Sequence, residues 1–449
     1  MAFFFLLVYT VFIYIRPQDI YPEEMADTPV VRITAVVAGS LAFFSNKLNT
    51  EKVWNTNQGK FLVYFFSVAV LSRVPSFWLG GVIDAVFIVG QIIILYTLIV
   101  NLLDTPKKVK FYIGFVIVLT VILSIQGIQQ GMTGKGWGGQ TPLIEGERDE
   151  FEEFIPETIR MRVRGLGIFA DPNDYGQVMV LAIPLLITFM YGYGARFWIK
   201  VVSITSLGAL LYAIYLTNSR GGYLSIIGVF ASYFILKYGA TKGVTPAALA
   251  VVLLIILGPT RAGGLMTMDG SGRGRVEAWS AGIAMFKSSP IVGIGMDWFS
   301  ENFVITAHNT FVLTFAETGF LGIFFWVGIF YAYFKDIIAV RRFKDLNDPH
   351  KLKPFHEALM ISMIGFLTAA FFLSRTWIPV PYMWVAMGSG ITQFLQKDNK
   401  SLKVAFSSED TWRIFSITIF GIVFIYFLHI FLRTLPVVGP GADEFPVVM

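Results

Sequence analysis

Cysteine is absent from the 449 residues, and this excludes disulfide bonds and thiolate chemistry. Charged side chains are scarce, because Asp, Glu, Lys and Arg make up only 14% of the chain, against roughly a quarter in soluble domains. Histidine occurs four times, which leaves few nitrogen ligands for a transition metal. The composition excludes a soluble globule, and a metal site would have to use carboxylates or the four histidines.

Long apolar runs account for most of the sequence. Hydrophobic residues form 55% of the chain, and the mean hydropathy is +0.65. Runs of about 15 to 25 residues are typical of membrane-spanning helices, whereas barrel strands would alternate over roughly 10 residues. Thirteen candidate runs cover residues 2–15, 30–46, 61–79, 80–103, 109–130, 174–194, 197–217, 221–238, 244–258, 308–334, 355–375, 378–396 and 413–433. The predicted fold is an all-α, multi-pass bundle.

Polar segments between the runs define the expected organisation. We expect one transmembrane catalytic domain over residues 1–449, with two long outer loops at 131–172 and 259–307 and an inner loop at 335–354. No basic residue precedes the first run, and no small-residue cleavage site follows it. This favours a retained span over a signal peptide. The second outer loop contains an amphipathic pattern around Trp279, which predicts a helix that lies either in the membrane interface or against the bundle.

Lysine and arginine are divided unequally between the two ends of the predicted spans. Sixteen Lys and four Arg lie in one set of connections, which by the positive-inside rule faces the cytoplasm. This set comprises residues 47–60, 104–110, 195–200, 237–243, 335–354 and 397–413. The other 15 basic residues are 13 Arg and two Lys. Because a guanidinium binds phosphate or carboxylate through a planar fork of donors, the outer side is predicted to bind an anionic group.

Eight arginines lie near or within the outer ends of the spans. They are Arg16, Arg32, Arg73, Arg164, Arg220, Arg273, Arg275 and Arg375. A bare charge at a helix centre costs roughly 2.5 to 3.5 kcal/mol, so we expect many of them to share an anionic partner or to line a wet cavity. The alternative is that each pairs with a carboxylate of the same side, namely Asp19, Asp84, Asp171 or Glu317.

Five short motifs follow one another at the predicted outer side. They are RGLGIFADPND (164–174), TNSRGG (217–222), SGRGRVEAW (271–279), PIVGIGMDWF (290–299) and AHNTFVLTFAETGFLG (307–322). In this order they resemble the signatures of the bacterial O-antigen ligase and O-antigen polymerase superfamily. The resemblance covers residues 160–335, is closer to ligases than to polymerases, and extends to the flanking spans by hydropathy alone.

The resemblance implies a lipid-sugar-dependent (GT-C-like) glycosyltransferase of the bacterial inner membrane, with about 12 to 13 transmembrane helices and a periplasmic active site. Such an enzyme is metal-independent and inverting. Its donor would be a glycan on undecaprenyl pyrophosphate, and its acceptor a sugar hydroxyl of the lipid A-core oligosaccharide. The other expected partners are inner-membrane lipids, and no nucleic acid is expected.

Glycosyl transfer from a pyrophosphate needs a base for the acceptor and cations for the leaving group. His308 is the only histidine on the predicted outer side and is the candidate base, with Arg220 and Arg275 as catalytic cations. The residue pattern alone equally allows His308 to be a helix-start residue paired with Glu301 or Glu317. The candidate pyrophosphate-binding set is Arg164, Arg220, Arg275, Arg273, Arg16, Arg32 and Arg73, and the supporting residues are Asn309, Glu317 and Trp279.

Other functions also fit the sequence. An O-antigen polymerase or a protein O-oligosaccharyltransferase of the same superfamily would share these motifs, and a hydrolase would replace the sugar acceptor with water. A transporter or flippase of an anionic lipid would also carry arginines within its spans. Transporters usually show repeated halves, and the sequence shows no internal repeat.

Overall fold

The computed structural model describes residues 1–25, 28–146, 159–191, 196–257 and 270–435. These residues form 17 α-helices and one two-stranded antiparallel sheet, with β1 (Leu143–Glu145) paired to β2 (Arg160–Arg162). The helices are α1 (Ala2–Tyr14), α2 (Pro17–Ile20), α3 (Pro22–Met25), α4 (Val30–Phe44), α5 (Thr50–Trp54), α6 (Asn57–Leu71), α7 (Leu79–Leu102), α8 (Pro106–Thr133), α9 (Pro172–Tyr191), α10 (Phe197–Leu216), α11 (Arg220–Leu257), α12 (Gly270–Ser288), α13 (Phe299–Asn302), α14 (Thr310–Arg342), α15 (Lys353–Ala370), α16 (Pro379–Asp398) and α17 (Ser408–Arg433).

The all-α, multi-pass prediction is confirmed. Within the described residues, an α-helix covers most of each of the thirteen apolar runs. The run at 244–258 falls in the second part of α11, beyond a break at Gly239. Eight helices in the described part of the chain are long and apolar enough to cross a membrane, and α4 is a shorter apolar helix. The other runs form three helices that pack inside the bundle: α6 packs against α14, α15 against α9, and α16 against α7.

Lysine-rich connections meet at one end of the bundle, here called the lysine-rich end. Hydrogen bonds join them directly: Asn49 N–H to Asn101 Oδ1 at 2.9 Å, Gln58 Nε2 to Asp336 Oδ2 at 2.7 Å, and Asn399 Nδ2 to the Asn347 carbonyl at 2.8 Å. The opposite end, here called the arginine-rich end, gathers the connections 16–29, 72–78, 134–171, 217–220, 289–309 and 371–378 in their described parts. Within the described residues, the lysine-rich and arginine-rich connections predicted from the sequence therefore lie at opposite ends of the molecule.

Helix α12 packs on the bundle. Its Ser280 Oγ lies 2.6 Å from His429 Nε2 of α17, and its Phe286 ring meets Phe315 of α14 edge-on. Trp279 is 5% exposed and lies edge-on to Phe371, with ring centroids 5.5 Å apart. Of the two positions expected for this helix, the structure therefore shows the one against the bundle.

Helix α14 is broken at Gly319, and the PIVGIG segment fills the break. Gly319 has φ 63° and ψ −164°, which interrupts the helical hydrogen bonds. The segment 290–295 replaces them. Its amides at Ile294 and Gly295 donate to the carbonyls of Ala316 and Glu317 at 3.0 Å, and its carbonyls at 290 and 291 accept from residues 320 and 321 at 2.8 and 3.1 Å. Two of the five motifs are therefore one structural unit.

Candidate active site at the arginine-rich end

The N-terminus of α9 is the centre around which the motifs assemble. Asp171 Oδ1 accepts from the Asn173 backbone N–H at 2.7 Å, as an N-cap residue does, and Pro172 occupies the first helical position. Asn173 Oδ1 accepts from Arg162 Nη2 at 2.9 Å and from Ser219 Oγ at 2.7 Å. One amide oxygen thereby joins β2, α9 and the turn that carries Arg220.

Arg162 is a buried part of this assembly that the candidate set omitted. Its Nε donates to the Thr217 carbonyl at 2.9 Å, and its other nitrogens bond Asn173 and the Glu145 carboxylate. It is 6% exposed, so it positions the surrounding backbone rather than facing a ligand. Only the alternation of arginines at 160, 162 and 164 hints at it in the sequence.

The segment 371–376 connects α9 to the start of α14. Arg375 forms an ion pair with Asp174 in the first turn of α9, and its backbone N–H donates to Thr310 Oγ1 at 3.0 Å. Ser374 Oγ lies 2.8 Å from Thr306 Oγ1. Burial lowers the pKa of Arg375 to about 10, opposed by Asp171. For Arg375 the structure therefore shows the alternative, pairing with a carboxylate, but the partner is Asp174 and not Asp19, Asp84, Asp171 or Glu317.

His308 lies where the loop 303–309 enters α14. Its backbone is left-handed, with φ 46°, a conformation in which His is enriched among non-glycine residues. Ala307 and Asn309 on either side are fully buried, whereas His308 is only partly buried. Burial lowers the pKa of the imidazole, Arg275 lowers it further, and Asp171 opposes both. The net lowering favours the neutral imidazole, which is the form that can accept a proton.

Asn309 is the N-cap of α14. Its Oδ1 accepts from the backbone N–H groups of Phe311 at 2.9 Å and Val312 at 3.1 Å, and the residue is 0% exposed. The supporting role expected for it is therefore structural: it starts the helix and fixes the backbone that holds His308.

Two arginines of α12 have different surroundings. Arg273 Nε lies 3.3 Å from Glu277 Oε1, one turn along the same helix. Arg275 is close enough to His308 to shift its pKa. This favours Arg275 over Arg273 as the candidate cation beside His308.

Arg220 is exposed at the first residue of α11. The turn before it contains Asn218 with φ 48°, and a Cβ added to Gly221 would lie 3.5 Å from Phe372 Cβ. The turn therefore packs against the segment 371–376 that also contacts the His308 loop.

Arg164 is partly buried, and its Nε donates to the Thr141 carbonyl at 2.9 Å.

The remaining candidate arginines line two cavities that share Ile88 of α7 as a lining residue. Arg16 and Arg32 line the first, with a volume of about 460 Å³, where Arg16 Nε lies 2.8 Å from Asp19 Oδ2. Arg73 lines the second, between two indole rings. The structure does not bring these three arginines into the cluster around His308.

Glu317 is buried in α14 and is not a proton acceptor for the cluster. Its Oε2 accepts from Trp377 Nε1 at 2.6 Å and its Oε1 from the Phe299 N–H at 3.1 Å. Glu317 thereby joins α14 to α13 and to the segment after Arg375.

His429 lies near the outer end of α17, beside Ser280 of α12. His308 is therefore not the only histidine at this end of the molecule.

The cluster combines a neutral imidazole, exposed and partly buried guanidinium groups and a carboxylate at the mouth of an apolar bundle. Such a set can accept a proton and neutralise charge on an anionic leaving group. Among the described residues, no group of three or more His, Asp or Glu side chains is placed to hold a metal ion.

Fold and site together define a multi-pass helical membrane protein with an arginine and histidine site at one end. Residues 204–327 match the family model described as O-Antigen ligase, so this segment of the chain is similar to that family. The match covers a little over a quarter of the chain and contains Arg220, Arg273, Arg275, His308 and Glu317. No curated protein matches the sequence.

Proposed function

We propose that the protein is an O-antigen ligase. It transfers O-antigen polysaccharide from undecaprenyl pyrophosphate to a sugar hydroxyl of the lipid A-core oligosaccharide, without a metal ion and with inversion at the anomeric carbon. The lysine-rich end faces the cytoplasm and the arginine-rich end faces the periplasm, in the bacterial inner membrane. The family match supports an O-antigen ligase-like transferase, and the placement of the site residues supports the finer assignment.

One arrangement carries the proposal: the loop that ends at His308 and the turn that carries Arg220 both pack against the segment 371–376. Arg275 and Asp171 lie close enough to this imidazole to shift its pKa in opposite directions. These residues come from positions 171 to 308 of the chain and from four different elements. Individual ion pairs would account for Arg375 and Arg273, but not for a partly buried neutral imidazole next to a guanidinium.

The reaction uses these groups as follows. His308 accepts the proton of the acceptor hydroxyl as its oxygen forms a bond to the anomeric carbon. The bond between that carbon and the phosphate oxygen breaks, and the pyrophosphate leaves with the electron pair. Arg220 and Arg275 neutralise the charge that develops on it, aided by Arg164. General-base assistance of this kind contributes about a hundred- to ten-thousand-fold.

Replacing His308 tests the proposal. In cells lacking the chromosomal gene, a His308→Ala copy should yield lipid A-core without polymer, while polymer accumulates on its lipid carrier. His350→Ala is the matched control, because His350 is exposed at the lysine-rich end. Core capped with a single repeat unit would identify a polymerase instead, and unchanged polymer on the core would refute the role of His308.

A further inference from the structure

The cavity around Arg73 has a composition unlike that of the His308 cluster. It has a volume of about 530 Å³ and lies between the start of α7 and the segment 296–302. Two indole rings, Trp78 and Trp298, form part of its wall, and Asp84, Asp297 and Glu301 supply three carboxylates.

Arg73 holds the two indole rings in place. Its guanidinium carbon lies 5.3 Å from the Trp78 ring centroid and 4.7 Å from that of Trp298. The residue is 5% exposed, and a Cβ on Gly81 would come within 2.4 Å of its Nη2. The guanidinium therefore packs closely against the first turn of α7, and its cation–π contacts favour the observed orientation of both rings.

The charge of this cavity is unsuited to a diphosphate. One guanidinium faces three carboxylates, a formal charge of −2 among the titratable lining residues, whereas Arg16, Arg32 and Asp19 give the neighbouring cavity a formal +1. Ionised carboxylates only accept hydrogen bonds, so they suit a ligand rich in hydroxyl donors. The pyrophosphate-binding role expected for Arg73 therefore does not fit its surroundings.

We propose that this cavity is a saccharide-binding subsite, which rests on the proposed glycan transfer. The flat indole faces pack against the apolar face of a sugar ring, and the carboxylates of Asp84, Asp297 and Glu301 accept hydrogen bonds from its hydroxyl groups. The ligand is an uncharged sugar unit, either from the donor polymer or from the acceptor core. Repulsion by the carboxylates keeps the diphosphate at the other arginines.

A short stretch of chain connects the lining of this cavity to His308. Glu301 precedes His308 by seven residues, so their Cα atoms are at most about 25 Å apart. The Phe299 N–H donates to Glu317, and the Met296 N–H donates to Ser72 Oγ at 3.0 Å. A glycan several units long can therefore occupy the cavity while its end reaches His308.

Calorimetric titration of the full-length protein in detergent tests the subsite. The two probes are O-polysaccharide released from its lipid and dephosphorylated core oligosaccharide from the same bacterium. Binding of either probe supports the subsite and identifies the source of the sugar. Trp298→Ala should weaken this binding at least tenfold and raise the KM for that substrate with little change in kcat, whereas Trp298→Phe should stay within about threefold of wild type because it keeps a stacking face.

Controls separate this proposal from the ligase assignment. Trp412→Ala removes a tryptophan that is 68% exposed at the lysine-rich end and should leave both binding and KM unchanged. Glu301→Gln should weaken binding without removing an aromatic ring. If wild-type protein binds neither probe, or Trp298→Ala binds as tightly as Trp412→Ala, the subsite is refuted even where transfer continues. Absence of transfer by wild type would refute the ligase function instead.

Discussion

Gly293→Ala should separate the PIVGIG segment from the broken helix α14. Gly293 has φ +75°, and an added Cβ would lie 2.2 Å from the Glu317 carbonyl carbon, 2.3 Å from its oxygen and 2.3 Å from the Thr318 nitrogen. These are backbone atoms, so no side-chain rotation relieves the overlap. The segment and the helix must move apart, which strains the hydrogen bonds from Ile294 and Gly295.

The expected loss of stability follows from two terms. A left-handed backbone costs a non-glycine residue roughly 1 to 2 kcal/mol. Overpacking against fixed neighbours costs about 1 to 3 kcal/mol more. We therefore expect the free energy of unfolding to fall by about 2 to 5 kcal/mol. Activity should fall as well, because Glu317 and the adjoining α13 would shift relative to His308.

Thermal unfolding of the purified protein in one detergent measures this effect. Gly90→Ala is the matched control, because a Cβ on this glycine of α7 meets nothing within 4 Å. Alanine is the better helix former, so the control should melt at or slightly above the wild-type temperature. A Gly293→Ala protein that melts with the Gly90→Ala control would show that the close contact between the two motifs is wrong.

Three further predictions concern the cluster. Arg275→Gln removes a charge that lowers the pKa of His308, so the acid limb of the pH–rate profile should move to higher pH. Asp171→Asn removes a charge that raises this pKa, so the acid limb should move to lower pH. The pH profiles of residual transfer activity measure both shifts. Arg220→Lys should reduce transfer at least tenfold despite its retained charge, because the bidentate fork is lost. Asp174→Asn leaves the partly buried guanidinium of Arg375 without its carboxylate partner and should lower stability by about 1 to 3 kcal/mol, measured by thermal unfolding.

Each of these has its own control or refuting result. Acid limbs that shift in the same direction for both variants would rule out opposed electrostatic effects on one imidazole. Full transfer by Arg220→Lys would count against a phosphate-binding fork. The exposed pair between Arg413 and Glu409, with side chains 58% and 72% exposed, supplies the control for Asp174, and Glu409→Gln should leave stability nearly unchanged.

The helices and the ends of the bundle could be predicted from sequence, because burial in lipid demands long apolar runs and lysine marks one side. The Asp171 N-cap could also be predicted, since its signal is local. The break in α14 could not. Gly319 is one of 42 glycines, and its left-handed backbone is stabilised by a segment some 25 residues earlier in the chain.

The candidate site was only partly predictable for the same reason. The motifs identify His308, Arg220 and Arg275, but the partner of Arg375 is 201 residues away at Asp174. Sequence distance gives no information about such ion pairs. The surroundings of Arg73 could not be predicted either, because an aromatic face and carboxylates reach it from the segment 296–302, which is distant in the sequence.

A cryo-EM map of the protein with an undecaprenyl pyrophosphate lipid bound tests the central claim most directly. The account predicts diphosphate density in contact with Arg220 and Arg275, with the His308 imidazole facing the sugar-bearing side. Diphosphate density at Arg73 instead, or a His308 side chain turned away from the bound lipid, would contradict it.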